Sequence, residues 1–117
     1  MIKGIGIDLI ELERISALVQ RQERFPDRIL SRAEKIHFEN LPAKRRVEFL
    51  AGRFAAKEAF AKAIGTGIGS QLSFQDIEIG KDSNGKPFIK RPENVNAHVS
   101  ITHTKQYAAA QVVIEES

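Results

Sequence analysis

The chain has 117 residues, 42% of them hydrophobic and 28% charged, which is the size and balance of one globular domain with one core. It contains no cysteine, which excludes disulfides and thiolate metal sites, and no apolar run near the roughly 18 residues of a membrane span. A net charge of +3 and an isoelectric point of about 9.4 favour an anionic partner without specifying it.

The opening "MIKGIGIDLI" predicts a strand over Ile2–Leu9, with Ile5, Ile7 and Leu9 on one face and Gly4, Gly6 and Asp8 on the other. Its apolar run is short, contains Asp8 and is followed by no small-residue cleavage site, so it is not read as a secretory leader. A helix is expected from about Glu11 to Gln20, with Leu12, Ile15, Leu18 and Val19 as its apolar side. Ser31 and Glu34 have the spacing of a capping box and open a short helix to about Asn40. Pro42 suits the first turn of a long helix that Gly65 closes as a left-handed cap, about 33 Å away at 1.5 Å per residue. Phe74–Ile79 alternates like a strand, "DSNGK" supplies a hairpin turn, and Pro87–Lys90 returns. "HVSITHT" and "YAAAQVVIE" read as two strands joined by a tight turn near Lys105. The second is apolar on both faces, as a strand covered on both sides should be. The expectation is an α+β fold and one domain over residues 1–117. An N-terminal strand and a long central helix, with shorter helices, pack on a mainly antiparallel sheet whose last four strands form a meander.

The long helix carries the chemistry. On a wheel of about 100° per residue, Val47, Leu50, Ala51, Phe54, Ala61 and Gly65 cluster on one side, and Phe49, Ala56, Phe60 and Ala63 on the other. A helix apolar on two sides is central and largely buried. Glu58 falls inside the first cluster, and a buried carboxylate has to be neutral, paired or bound to a metal. A pair with Lys62 at i,i+4 is the simple account. Asp8 offers another. Glycine weakens a strand unless a backbone or ligand must come close, so Gly4 and Gly6 can admit the long helix and let Asp8 and Glu58 meet. Two carboxylates without thiolates make an oxygen-only set, which suits Mg²⁺ completed by water and substrate phosphates. Asp8 as an N-cap for the following helix is the alternative.

Lys44, Arg45 and Arg53 lie along the same helix, with Lys62 one turn beyond Glu58. The loop "GTGIG" can turn backbone N–H groups towards an anion, although no Gly-Lys-Ser/Thr makes it a Walker A loop. His103 closes a strand. Arg14, Arg21 and Arg28 are seven apart and share a face if helix persists, with Arg24 beside them. Each of these features also has a plain structural reading, as a solvated charged face, a helix-ending loop and a structural histidine.

Taken together, "GIGIDLIELERI", "EFLAGRFAAKEAFAKAIGTGIG", "SFQDIEI" with "NGKP", and "HVSITHT" resemble the holo-acyl-carrier-protein synthases, the 4′-phosphopantetheinyl transferases of fatty-acid synthesis. The likeness spans nearly the whole chain, in order, and "KRPENVNA" carries no family motif. The resemblance implies transfer of phosphopantetheine from coenzyme A to a serine of apo acyl carrier protein, with release of adenosine 3′,5′-bisphosphate. It implies Mg²⁺ held by Asp8 and Glu58, and Lys62 on the phosphates. Gly65, Thr66, Gly67 and His103 would line the coenzyme site, and Lys44, Arg45 and Arg53 would lie near the 3′-phosphate. It further implies carrier docking on the first helix, where Arg14, Arg21, Arg24 and Arg28 stand with Leu18 and Phe25 between them. A cytoplasmic homotrimer with sites at subunit boundaries is expected, with no nucleic acid or membrane partner. Two rivals remain on the residues alone. One is a Mg²⁺-dependent phosphohydrolase using the same carboxylates. The other is a nucleic-acid binder, disfavoured by one Tyr, no Trp and no basic cluster interleaved with aromatics.

Overall fold

The computed structural model describes residues 1–116. In chain order the elements are β1 (Ile2–Glu11), α1 (Leu12–Arg21), α2 (Phe25–Ile29), α3 (Arg32–Glu39), α4 (Ala43–Ile64), a 3₁₀ turn (Phe74–Asp76), β2 (Glu78–Lys81), β3 (Pro87–Arg91), β4 (Asn96–His103) and β5 (Tyr107–Glu115). The fold is α+β, and every strand pair is antiparallel.

The strands do not form one meander. β5 is the central strand of a three-stranded sheet in the order β1-β5-β4, while β2 and β3 form a separate hairpin. Chain order suggested neighbours in sequence, but β1 finds its partner at the far end of the chain, with Asp8 opposite Ala110 and Gly6 opposite Val112. The expected strand over Phe74–Ile79 begins only at Glu78, because Ser73 and Asp76 cap each other and hold Phe74–Asp76 in a 3₁₀ turn. Around "DSNGK" the loop is a type I turn closed by Gly85 at φ 80°, with Asp82 Oδ1 accepting from the backbone of Asn84 and Lys86 (both 2.9 Å).

The helix signals act largely where they were read. Ser31 N donates to Glu34 Oε1 (2.8 Å) and Glu34 N to Ser31 Oγ (3.3 Å), so the capping box opens α3. Gly65 ends α4 at φ 104°, a conformation that favours glycine. Pro42 sits one residue earlier than expected, as the N-cap of α4 rather than in its first turn. α2 was not anticipated; Pro26 stands at its start.

α4 lies across the inner face of the sheet. Ala51, Ala55, Ala59 and Ala61 are fully buried, and their small side chains let the helix axis come close to β5. At β1 the approach is closer still. A Cβ on Gly6 would stand 2.9 Å from both Ala59 C and Ala63 N, and one on Gly4 would meet the Ala63 carbonyl. These obstacles are backbone atoms and cannot rotate away, so Gly6→Ala is expected to cost about 3 kcal/mol or more. Gly69→Ala, in open space without a positive φ, is expected to be near neutral. Urea denaturation of the two variants checks this contrast.

Candidate active site

Asp8 follows Gly6 on the inward face of β1, so the close β1–α4 contact delivers its carboxylate to α4. Lys62 Nζ donates to Asp8 Oδ1 (3.2 Å) and to the Ile7 carbonyl (3.0 Å). Lys62 therefore reaches back to β1 and makes no ion pair with Glu58 among the described residues. Asp8 lies inside β1 and is not an N-cap; Glu11 holds that position. Its Oδ2 is buried and has no hydrogen-bond partner among the described residues. Glu58 is half-buried and makes no side-chain hydrogen bond among the described residues. Burial raises its pKa above the usual glutamate value, the Asp8 charge raises it further, and Lys62 opposes both. Two carboxylates short of positive charge, one with an orphaned oxygen, fit a hard divalent cation such as Mg²⁺. No third His, Cys, Asp or Glu joins them among the described residues, so water and a substrate phosphate would complete the shell.

A second feature lies at the other end of α4. A cleft of about 220 Å³ is lined by Arg45, Arg53 and His103 together with Glu48, Phe49 and Lys81. Glu48 Oε1 lies 3.5 Å from Arg45 Nε and 3.7 Å from His103 Nε2. The Arg53 guanidinium stands 4.5 Å from the centre of the Phe49 ring and is only 6% exposed. Burial pushes its pKa down and the Glu34 charge pushes it back up. Lys44 is exposed on the first turn of α4 and does not line this cleft. Asp8, Glu58 and Lys62 do not line it either. Arg45 and Glu58 are separated by about 20 Å along the helix.

The glycine loop and the arginines are placed as follows. The amides of Gly65 and Gly67 both donate to the Ala61 carbonyl (3.0 and 3.1 Å) and end the helix, and that of Gly69 donates within the loop to Leu72 O (2.9 Å), so these N–H groups do not face an anion. Thr66 is exposed, and its hydroxyl donates to Gly67 O (2.9 Å). α1 stops at Arg21, so Arg14, Arg21 and Arg28 do not share one helix. Arg14 and Arg21 border a shallow groove with Leu18, while Arg24 and Arg28 stand on α2 and its N-cap. All four are exposed. Phe25 is buried, 6.3 Å from the Phe54 ring, so Leu18, with Ala17 beside it, supplies the apolar surface of the groove.

The sequence profile of the 4′-phosphopantetheinyl transferase superfamily matches residues 4–112. The holo-[acyl-carrier-protein] synthase of Bacillus subtilis is 64% identical over 117 residues, covering 98% of this chain and 97% of that protein. A Bacillus anthracis holo-(acyl-carrier-protein) synthase, solved in complex with CoA (3′,5′-ADP), superposes with a TM-score of 0.93 at 50% identity over 100% of this chain and 99% of its own. The Helicobacter pylori synthase, solved with coenzyme A, gives a TM-score of 0.84 at 35% identity over 95% and 99%. The chain belongs to the holo-acyl-carrier-protein synthases.

Lys57, Glu48 and Lys81 do not stand out in the sequence as site residues, and Glu34 stands out only as a cap. Lys57 is fully buried, and its three ammonium protons go to Glu34 Oε1 (2.6 Å), Ile29 O (2.7 Å) and Phe74 O (3.2 Å). On the wheel Lys57 falls beside Arg46 and Arg53 between the two apolar clusters, so it reads as part of a charged stripe. Glu48 was legible as the i,i+3 partner of Arg45. Lys81 was not, because only the folded hairpin brings it to the cleft.

The raised pKa of Glu58 makes a prediction about stability. In the metal-free protein its ionised form is disfavoured on folding, so this cost is absent below the ordinary glutamate pKa. It grows as pH rises towards the folded value and is constant above it. Glu58→Gln is therefore expected to raise the unfolding midpoint of the metal-free protein at pH 7.5, with the gain vanishing near pH 4. Thermal unfolding across that range measures the difference.

Proposed function

We infer that this chain transfers the 4′-phosphopantetheine group from coenzyme A to a serine hydroxyl of apo acyl carrier protein, releasing adenosine 3′,5′-bisphosphate. The observation that carries this reading is the pairing of Asp8 and Glu58 against Lys62, with a separate cationic cleft suited to a phosphorylated nucleotide. Its membership of a family with members solved on coenzyme A supports the substrate. The single domain 1–117 acts in the cytoplasm. Among the described residues no helix is long and apolar enough to cross a membrane.

Asp8 and Glu58 hold Mg²⁺. When bound, the ion neutralises charge on the diphosphate and orients the reacting groups. Lys62, fixed by Asp8 and the Ile7 carbonyl, stands where it can stabilise charge building on the leaving phosphate. Arg45 and Arg53 with His103 receive the 3′-phosphate end of the coenzyme, with Lys44 at the rim. The loop Gly65–Thr66–Gly67 borders the diphosphate end, where the exposed Thr66 hydroxyl can turn from Gly67 O to donate to a phosphate oxygen. Exposed Arg14, Arg21, Arg24 and Arg28 offer an acidic carrier protein a basic surface around Leu18, which speeds encounter more than it adds affinity.

On one chain the carboxylates and the cleft do not share a pocket. The outer face of β1 supports an assembly that would bring them together between copies. Ile5, Ile7 and Leu9 are 61%, 65% and 64% exposed, and β5 adds Ala109 and Val113 to this face, with Gln111 between them opposite Ile7. A homotrimer covers this face and sets the carboxylates of one copy against the cleft of the next.

Incubation with coenzyme A and Mg²⁺, with and without apo carrier protein, tests the reading. Bisphosphate release is expected only when the carrier is present, and release without it would indicate hydrolysis. Asp8→Asn and Glu58→Gln are each expected to lose about a hundredfold or more of the Mg²⁺-dependent rate while staying folded. Lys62→Ala should lose rate on both coenzyme A and 3′-dephospho-coenzyme A, whereas Arg45→Ala should lose mainly on coenzyme A.

A further inference from the structure

The catalytic reading uses neither Glu34 nor Lys57, yet both are buried, at 4% and 0% exposure. Glu34 Oε1 accepts from Lys57 Nζ (2.6 Å) and Ser31 N (2.8 Å). Its Oε2 accepts from Ile79 N (2.8 Å) and lies 3.8 Å from Arg53 Nε. One carboxylate thus stands between two cations that are one turn apart on α4. The two cations differ in kind. Lys57 has all its donors taken by Glu34 and two backbone carbonyls, and it is fully buried. Arg53 stacks on Phe49 and lines the cleft with Arg45 and His103. Its Nε is buried without a hydrogen bond, and its terminal nitrogens make none among the described residues. Glu34 is the one carboxylate within ion-pair distance of Arg53 among the described residues.

We propose that Glu34 is a positioning residue for the nucleotide end of the coenzyme, holding Arg53 by its Nε edge so that the terminal guanidinium nitrogens face the 3′-phosphate. This rests on the reading of the cleft given above. A phosphate takes two guanidinium nitrogens in a planar fork, so the orientation of that plane decides how well it binds. Phe49 fixes the plane from one side, and Glu34 acts in it by charge across 3.8 Å where the surroundings screen weakly. Glu34 is itself fixed by the amides of Ser31 and Ile79, which do not depend on Lys57. The carboxylate therefore does two separable things. It neutralises buried Lys57, which concerns stability, and it aims Arg53, which concerns coenzyme recognition.

The test compares kcat/KM for coenzyme A with that for 3′-dephospho-coenzyme A, alongside thermal unfolding. The proteins are the wild type, Arg53→Ala, Glu34→Gln, Lys57→Met and the double variant Glu34→Gln/Lys57→Met. Arg53→Ala is expected to reduce the preference for the 3′-phosphate about tenfold, and Glu34→Gln to reduce it nearly as much through KM for coenzyme A with KM for the carrier unchanged. Lys57→Met should lose stability and keep the preference. The double variant should regain stability over Lys57→Met with the preference still lost, and it carries the comparison if Glu34→Gln alone does not fold. A wild-type preference in Glu34→Gln or in the double variant, with Arg53→Ala impaired, overturns the role of Glu34. A wild-type preference in Arg53→Ala overturns the cleft reading and this proposal with it.

Discussion

The close contact between the backbones of β1 and α4 is the constraint on which the rest depends. Gly4 and Gly6 have no Cβ, and the Ala59 and Ala63 backbone occupies the space that one would fill. Because strand side chains alternate with period two, turning the glycines inward also turns Asp8 inward, towards Lys62 and Glu58. The same alternation turns Ile5, Ile7 and Leu9 outward, where they are more than half exposed. Burying what remains exposed of each of these on another copy is worth about 1–2 kcal/mol, so the feature that builds the carboxylate pair also creates an apolar face that favours assembly.

Charge is handled differently at the two ends of α4. At the carboxylate end two acids face one lysine, an oxygen is left without a partner, and Glu58 is pushed towards its neutral form. That arrangement is costly in the empty protein and is relieved by a cation. In the interior, Lys57 and Glu34 are matched almost donor for acceptor, and removing either partner alone would leave a buried charge uncompensated, at a cost of about 3–5 kcal/mol. At the cleft end the Glu48 carboxylate lies between Arg45 Nε and His103 Nε2, so Arg45 has a counter-charge before an anion arrives. Satisfied charges thus hold the scaffold, and the unsatisfied ones mark the proposed sites of chemistry.

Much of this was legible because it is local. The alternation of β1, the Ser31–Glu34 box, Gly65 and the Asn-Gly turn all act within a few residues. Even the long-range approach of β1 to α4 could be read, since glycine in a strand needs a reason. What was hidden depends on distant partners. Nothing in "YAAAQVVIE" says that it pairs with the first strand as well as with β4. Phe74–Ile79 alternates like a strand, but the reciprocal Ser73–Asp76 cap bends its first half into a 3₁₀ turn. The arginines divide between α1 and α2 because the first helix ends at Gln22. Glu34 was legible as a cap, and its hold on Lys57 and Arg53 appears only once α3 packs on α4.

The central proposal is that the reaction needs the Asp8–Glu58 end of one copy and the Arg45–Arg53 cleft of another. The most direct measurement is activity of co-expressed chains, one carrying Asp8→Asn and the other Arg45→Ala with Arg53→Ala, assayed at limiting coenzyme A. In an equal random mixture roughly a quarter of the boundaries join two intact halves, so about a quarter of the wild-type rate should return although each variant alone is nearly inactive. If the mixture is no more active than the two variants assayed separately, both halves act within one chain and the account is wrong.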